Sequence, residues 1–198
     1  MTVVASATVD LPVYARVIGH AWPDLAEPIR RFHNPNPEVR AWGRLRFSCG
    51  QRWLARMIAR LIGFPRPGLA VDTRLAVSRQ QPPLGSAAEH WHRTFAGHTV
   101  ATMMYQTAAG VLAERYALLE FQFTLSATDG SLIYSHRQTA LMIGSRRWRL
   151  PDACAPYIEA REDPMDHHRI NINVRMTLPW LGPMVTYDGT ITIEDRPV

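Results

Sequence analysis

The stretch Leu69-Ala70-Val71-Asp72-Thr73-Arg74-Leu75-Ala76-Val77-Ser78 alternates without a break. Leu69, Val71, Thr73, Leu75 and Val77 fall on one side, and Ala70, Asp72, Arg74, Ala76 and Ser78 on the other. A period of two marks a half-buried β-strand, because successive side chains of an extended chain leave opposite faces. The same rhythm recurs toward higher numbers in 88–95, 99–106, 112–126, 132–143, 170–178 and 185–193. Ala108-Ala109-Gly110 and Thr128-Asp129-Gly130 read as turns between these runs, and Pro82-Pro83-Leu84-Gly85 as a loop. Pro151 to Glu159 reads as a loop with a short helix, and Gly189 marks a bulge or a close backbone approach.

Toward lower numbers the period changes, and up to about Pro65 the signal is helical. Asp10 can cap a helix that begins Leu11-Pro12 and continues through Val13, Val17, Ile18 and Trp22. Asp24 to Phe32 gives a second short helix, ended by the turn Asn34-Pro35-Asn36-Pro37. Gln51 to Ile62 is the clearest helix. It shows an apolar face of Trp53, Leu54, Met57, Ile58 and Leu61, and opposite it a stripe of Arg52, Arg56 and Arg60, which reads either as a wet face or as a surface docking to a membrane or a partner. Gly63 and Pro65 stop it.

A helical start followed by many short alternating strands predicts one α+β domain over residues 1–198, helical over 10–65 and sheet over 69–195. The sheet is expected to be antiparallel and strongly curved, or closed into a barrel of about seven or eight strands. Closure would remove exposed edges and leave an internal pocket, with the helices covering one mouth or face.

Composition narrows the chemistry. Of the 198 residues, 22 are basic and all of those are arginine. A chain without lysine cannot form a Schiff base, attach pyridoxal phosphate covalently or build a Walker-type phosphate loop. The net charge of +5 calls for an anionic partner to be weighed. The arginines are scattered, however, and no nucleic-acid motif accompanies them. The densest group, Arg146, Arg147 and Arg149 around Trp148, reads either as a solvated basic turn or as an anion contact. Cys49 and Cys154 belong to no CxxC pair. Met1 to Asp10 lacks the features of a signal peptide, and no apolar run is long enough to span a bilayer. These features predict a cytoplasmic protein with no nucleic-acid and no membrane partner; its oligomeric state is left open.

The most informative segment for function is Glu89-His90-Trp91-His92-Arg93-Thr94-Phe95. On a strand Glu89, Trp91, Arg93 and Phe95 share a face, and the two aromatic rings make that face the buried one. Glu89 and Arg93 are then carried inward, where charge is costly unless paired. They read either as a structural ion pair in the wall or as polar anchors of a mostly apolar site. In the second reading Arg93 holds an anionic oxygen and Glu89 acts as acid or base.

Glu114 and Tyr116 share a face with Leu112 and Leu118, either as strand-edge polarity or as part of a proton-transfer site with Glu89 and Arg93. Glu159 is expected to reach over a barrel mouth from its loop, and Tyr187 to lie on the apolar face of the last strand, where a buried hydroxyl needs a partner. His90 and His92 have a spacing used by metal sites but no third ligand at a fixed spacing, so no metal is expected. The adjacent His167 and His168 place only one ring on any one strand face. Cys49 precedes the clear helix and reads either as a buried, inert thiol or as one activated by a helix N-terminus. GxSxG, GxGxxG and HExxH motifs do not occur, so no cofactor is expected.

In order and spacing, these residues resemble the bacterial family DUF4166, a domain of unknown function. The resemblance is carried by Glu89-x-Trp91-x-Arg93-x-Phe95, Glu114-Arg115, Leu150-Pro151 with Pro156 and Glu159, and Pro179-x-x-Gly182 leading into Tyr187-x-Gly189. The stretch from Gly43 to Pro65, ending Gly63-Phe64-Pro65, is also similar. The chain departs from the glycine-rich form of the first motif, having Gly85-Ser86-Ala87-Ala88 before Glu89. The resemblance implies a domain found alone or beside saccharopine-dehydrogenase-like reductases. It supplies no catalytic residues to transfer.

Three functions are compatible with this reading. The first is a cofactor-independent enzyme of isomerase or cyclase type, acting in secondary metabolism on a mostly apolar small molecule. Glu89, Arg93, Glu114 and Tyr116 would be catalytic, and Trp91, Phe95, Glu159 and Tyr187 would bind the ligand. The second is a non-catalytic ligand-binding module partnering a reductase. The third is an interaction domain with a filled barrel and the Arg52/Arg56/Arg60 stripe as its docking surface.

Overall fold

The computed structural model describes residues 11–61, 64–80, 87–144 and 146–195. Short helices α1 (Val13–Ile18) and α2 (Glu27–Phe32), joined by a 3-10 stretch (Gly19–Asp24), precede strand β1 (Glu38–Cys49). Helix α3 (Trp53–Leu61) leads into β2 (Gly68–Gln80), β3 (Ala88–Phe95), β4 (His98–Gln106), β5 (Leu112–Tyr116) and β6 (Leu119–Thr128). Then come β7 (Ser131–Ile143), β8 (Arg146–Arg149), β9 (Tyr157–Pro164), β10 (Arg169–Leu178) and β11 (Gly182–Ile193). The expected cap at Asp10, the loop at Pro82 to Gly85 and the stop at Gly63 lie outside the described residues.

The fold is mostly β. All eleven strands form one antiparallel sheet in the order β6-β5-β4-β3-β2-β1-β11-β10-β9-β7-β8, and a β6–β7 pairing closes ten of them into a barrel. Strand β7 makes the closure by dividing one edge: Leu132 to Ser135 pair with β9, and Ala140 to Ile143 pair with β8, which hangs outside the ring.

The count of about seven or eight strands is therefore corrected upward, for three physical reasons. Strand β1 was read as helical, yet Val39, Ala41, Leu45 and Phe47 point inward while Arg40, Trp42, Arg44 and Arg46 point out. Its inward position 43 is a glycine because β11 passes too close for a side chain: a Cβ there would meet the Thr190 carbonyl oxygen at 2.2 Å. Gly189 shows the same close approach from the other strand, at φ +148°, with a Cβ position 2.8 Å from the Arg44 carbonyl oxygen. The run 112–126 is two strands, because Ala117, at φ +49°, and Leu118 turn the chain between Tyr116 and Leu119. The expected basic turn is strand β8, and the expected loop at 157–159 is the start of β9.

The turn at Thr128-Asp129-Gly130 forms as read, with both central residues at positive φ (+51° and +78°), the geometry of a two-residue hairpin. The helices occupy opposite ends of the barrel. Helices α1 and α2 plug the end reached by the hairpin of β6 and β7. There Tyr14, Ile29 and Phe32 are fully buried, and Gly130 accepts a hydrogen bond from the Ala26 amide. Helix α3 connects β1 to β2 at the other end. It packs through Ala55 and Ala59, with Leu54 and Ile58 half-buried, and not through the expected Trp53 and Met57, which are 69% and 42% exposed. Small alanines let the helix lie close over β1 and β11; the Ala55 methyl would sit only 3.1 Å from a Cβ at Gly50. None of the described helices is long and apolar enough to cross a membrane.

Candidate functional site

Strands β3, β4 and β5 alternate strictly, so Trp91, Arg93 and Phe95, Thr102 and Met104, and Glu114 and Tyr116 all face the barrel interior. Glu89 and Arg93, four residues apart on one extended strand, are separated by about 13 Å. They do not form the expected ion pair. Arg93 reaches across β4 instead: its Nη1 lies 2.9 Å from Glu114 Oε1 and donates to Thr102 Oγ1 at 2.7 Å. The guanidinium also lies 4.8 Å from the centre of the Trp91 ring, a cation–π contact. Burial, the largest single influence, pulls the pKa of Arg93 down, but Glu114 together with Tyr187, Tyr14 and Tyr134 raises it overall and keeps the guanidinium charged.

Two small voids meet at this pair. One of about 70 Å³ lies toward the plugged end, bounded by Trp91, Met104, Tyr134 and Glu162 among others. The second, of about 140 Å³, lies beneath α3 and is bounded by Ile58, Phe64, Tyr116, Phe121 and Met184 among others. Arg93, Glu114 and Tyr187 border both, together with Phe95, Ile158 and Val174. Tyr187 stacks on Phe47 with ring centres 5.1 Å apart. Burial pushes its phenol up to about 12 against the opposing pull of Arg93, so it is a neutral hydrogen-bond donor at ordinary pH. Phe95 is buried between Phe47 and Tyr187, at 4.9 and 5.7 Å.

Glu89 has a different position. It is fully buried, accepts a hydrogen bond from the Val13 amide at 3.1 Å, and faces the Trp91 indole nitrogen at 3.4 Å. It borders neither void. Burial raises its pKa, against the lowering effects of His33 and these two donors. The carboxyl thus caps the first turn of α1, a helix end that has no side-chain cap of its own. Glu159 lies on β9 and points out of the barrel, because Ile158, Ala160 and Glu162 take the inward positions.

Behind Trp91 is a polar cluster that the sequence reading missed. Glu162 Oε2 lies 2.7 Å from His33 Nε2, and Glu162 Oε1 accepts from the Tyr134 hydroxyl at 2.9 Å. The Tyr14 hydroxyl donates to Met104 Sδ at 2.7 Å, and its ring lies 3.8 Å from that of His33. Burial holds both tyrosines well above their ordinary pKa. His33 Nδ1 is buried with no hydrogen-bond partner among the described residues. The alternation Ile158-x-Ala160-x-Glu162 was the available signal for Glu162; His33, just beyond a short helix, gave none.

The remaining candidates lie outside the barrel interior. His92 is exposed and His90 half-buried on the outer face of β3. Among the described residues no three His, Cys, Asp or Glu side chains gather as a metal site would require. Both cysteines are free thiols. Cys49 ends β1 rather than a helix approach, and burial raises its pKa in spite of Arg60 and Arg56, which opposes the activated-thiol reading.

A family model described as a domain of unknown function (DUF4166) matches residues 25–191, which include all of β1 to β10 and most of β11. No curated protein and no solved structure matches the chain.

Proposed function

The chain belongs to the DUF4166 family, and since that membership brings no activity with it, we propose a function from the barrel interior alone: binding and proton-transfer chemistry on a small, mostly apolar molecule. The observation that carries this reading is that Arg93, Glu114 and Tyr187 border both voids, while nearly everything around them is hydrocarbon or aromatic. A few convergent polar groups in an apolar chamber are the usual composition of a ligand site.

The roles follow from the chemistry of each group. Arg93 is fixed by Thr102 and Trp91 and holds a carboxylate, enolate or phenolate oxygen of the ligand. Glu114 is the acid–base group. When a ligand anion takes over Arg93, the carboxylate is released from its ion pair and accepts a proton. Tyr187, neutral until about pH 12, supplies the compensating hydrogen-bond donor. Tyr116 borders the larger void, and Trp91 and Phe95 supply ring surface. Such an arrangement needs no redox step and suits an isomerisation or cyclisation. The voids are smaller than the 300 Å³ or more typical of pockets for drug-sized ligands. The ligand is accordingly small, or it enters as α3 shifts Ile58 and Phe64 aside.

A non-catalytic carrier, presenting its ligand to a reductase partner, is the second reading. It is favoured by the ion pair itself, since Arg93 and Glu114 already satisfy each other. Octanoate, an apolar chain with one anionic end, serves as the probe for both. Calorimetric binding that Arg93→Gln weakens at least about tenfold supports the chamber. No binding of octanoate to the native protein, together with no retained small molecule in native mass spectrometry, overturns both readings. Proton exchange on a retained ligand, lost in Glu114→Gln, distinguishes the enzyme from the carrier.

A further inference from the structure

The two ends of the barrel differ in surface character. Among the described residues, 50–61, 64–67, 96–97, 117–118, 144, 146–156 (which includes β8) and 179–181 lie at the α3 end, and these contain one acidic residue, Asp152. They also contain Arg52, Arg56, Arg60, Arg66 and Arg146, all exposed. The opposite end is of mixed charge and includes Asp24, Glu27, Asp129, Asp166, Glu194 and Asp195. Exposed hydrophobic side chains have the same polarity. Apart from Leu11, Trp42 and Met165, every large hydrophobic residue exposed among the described residues lies at the α3 end. Trp53 is 69%, Leu69 85%, Leu118 58%, Trp148 56% and Trp180 54% exposed. Arg52 Nη1 donates to the Trp180 carbonyl at 2.7 Å and ties the start of α3 to the last turn of this rim.

We propose that the α3 end of the barrel is a docking surface for an anionic lipid bilayer. Tryptophan is suited to the headgroup region, where one side of the ring is apolar and the N–H stays wet, and arginine is drawn to anionic headgroups. The exposed groups come from several separate segments around one barrel end, so they form a ring rather than the two walls of a groove. A ring of that shape fits a deformable, planar surface better than a peptide. The near absence of acid supplies the charge complementarity. Docking of this kind needs no membrane-spanning segment. It departs from the expectation of no membrane partner, which rested on the lack of an apolar run long enough to span a bilayer and so did not bear on docking at the surface. The void beneath α3 lies at the same end, so an apolar ligand admitted past Ile58 and Phe64 would pass from lipid to Arg93 without crossing water. The surface argument is independent of that chamber and holds if the interior is chemically idle.

Sedimentation with extruded vesicles tests this directly. The full chain is expected to pellet with phosphatidylcholine vesicles containing phosphatidylglycerol, to stay in solution with phosphatidylcholine alone, and to be released by added salt. Trp fluorescence should shift to the blue on binding. Arg56→Glu with Arg60→Glu should lower the partition coefficient by well over tenfold, at about fivefold per arginine removed. Trp53→Ser with Trp180→Ser should abolish the fluorescence shift, while Trp42→Ser, on the side of the barrel, should change nothing. Failure of the native protein to pellet with anionic vesicles at low salt overturns the proposal, whatever the variants do. So does an equal loss in Trp42→Ser. A lipid-free dimer that the Trp53/Trp180 double variant dissociates would assign the rim to a second copy of the chain and also overturn it. Octanoate binding, read separately, is unaffected by either double variant, so failure of docking and failure of the chamber can be told apart.

Discussion

Arg93 and Glu114 stand on strands that do not touch each other, β3 and β5, and meet at 2.9 Å across the inner face of β4. The pair therefore fastens three strands of the wall beside both voids. Both side chains are largely buried, at 14% and 16% exposure. Removing one partner leaves a charge without compensation. Glu114→Ala is expected to lower unfolding free energy by about 3 kcal/mol, and Glu114→Gln, which keeps a hydrogen-bond acceptor for Arg93, by about half of that. Urea denaturation measures both. A loss in Glu114→Ala no greater than that of an ordinary surface substitution would show the pair to be solvated and the chamber wet.

Glu89 supports a prediction of opposite sign. Its folded pKa lies above the ordinary 4.5 because of burial. The folded state therefore holds the proton more tightly than the unfolded chain. The stability this group contributes is complete below about 4.5, and is lost as pH rises from there through the folded value. Glu89→Gln keeps an acceptor for the Val13 amide without the charge. It should flatten the fall in stability over that window and equal or exceed the native protein by about 1 kcal/mol at pH 8. Glu89→Leu, which leaves the Val13 amide unpaired, should cost about 1–3 kcal/mol at every pH. Thermal melts across pH 4 to 8 separate the two.

Tyr187→Phe should leave the fold nearly unchanged, because the ring retains its stack on Phe47 and its contact with Phe95. Only the donor hydroxyl is lost. Octanoate affinity is expected to fall about three- to tenfold, against more than tenfold for Arg93→Gln, since a hydrogen bond from a neutral group is weaker than one from a charged group. Calorimetry at constant pH checks the order. Equal effects of the two variants would remove Tyr187 from the site.

Gly43→Ala should be among the most damaging single substitutions in the chain. The new methyl would lie 2.2 Å from the backbone oxygen of Thr190, and its nearest neighbours are all backbone atoms of Thr190 and Ile191, so no flexible side chain can move aside. A loss of more than about 3 kcal/mol, or accumulation of insoluble protein, is expected. Soluble yield and the thermal midpoint report it. Gly97→Ala, with open space around its Cβ position and only its φ of +87° against it, should cost far less and so isolates the steric clash at Gly43.

Much of this architecture was legible in the alternation of β2, β3, β4, β7, β10 and β11, where inward positions are apolar and outward positions polar. The strands that escaped detection break that rule for reasons only the assembled barrel supplies. β1 places a glycine inward because β11 crowds it, and exposes Trp42 at 54% outward. β9 turns Glu162 inward because His33 and Tyr134 wait there, brought from far along the chain. For the candidate site, the alternation indicated the inward direction of Arg93, Glu114, Tyr116 and Tyr187. It could not indicate the partners. Pairing across an intervening strand depends on register, and the nearest acid in sequence, Glu89, was the wrong one for Arg93.

The placement of β11 bears on how the molecule is made. This last strand of the barrel is not at a margin; it lies between β1 and β10, with Ala41 paired to Ile193 and Ile170 to Ile191. Until residues 182–193 leave the ribosome, β1 and β10 both present open hydrogen-bonding edges, and the ring cannot shut. Vectorial synthesis therefore delays closure until nearly the whole described chain has been translated, and in the interval those unpaired edges are open to pairing with other chains.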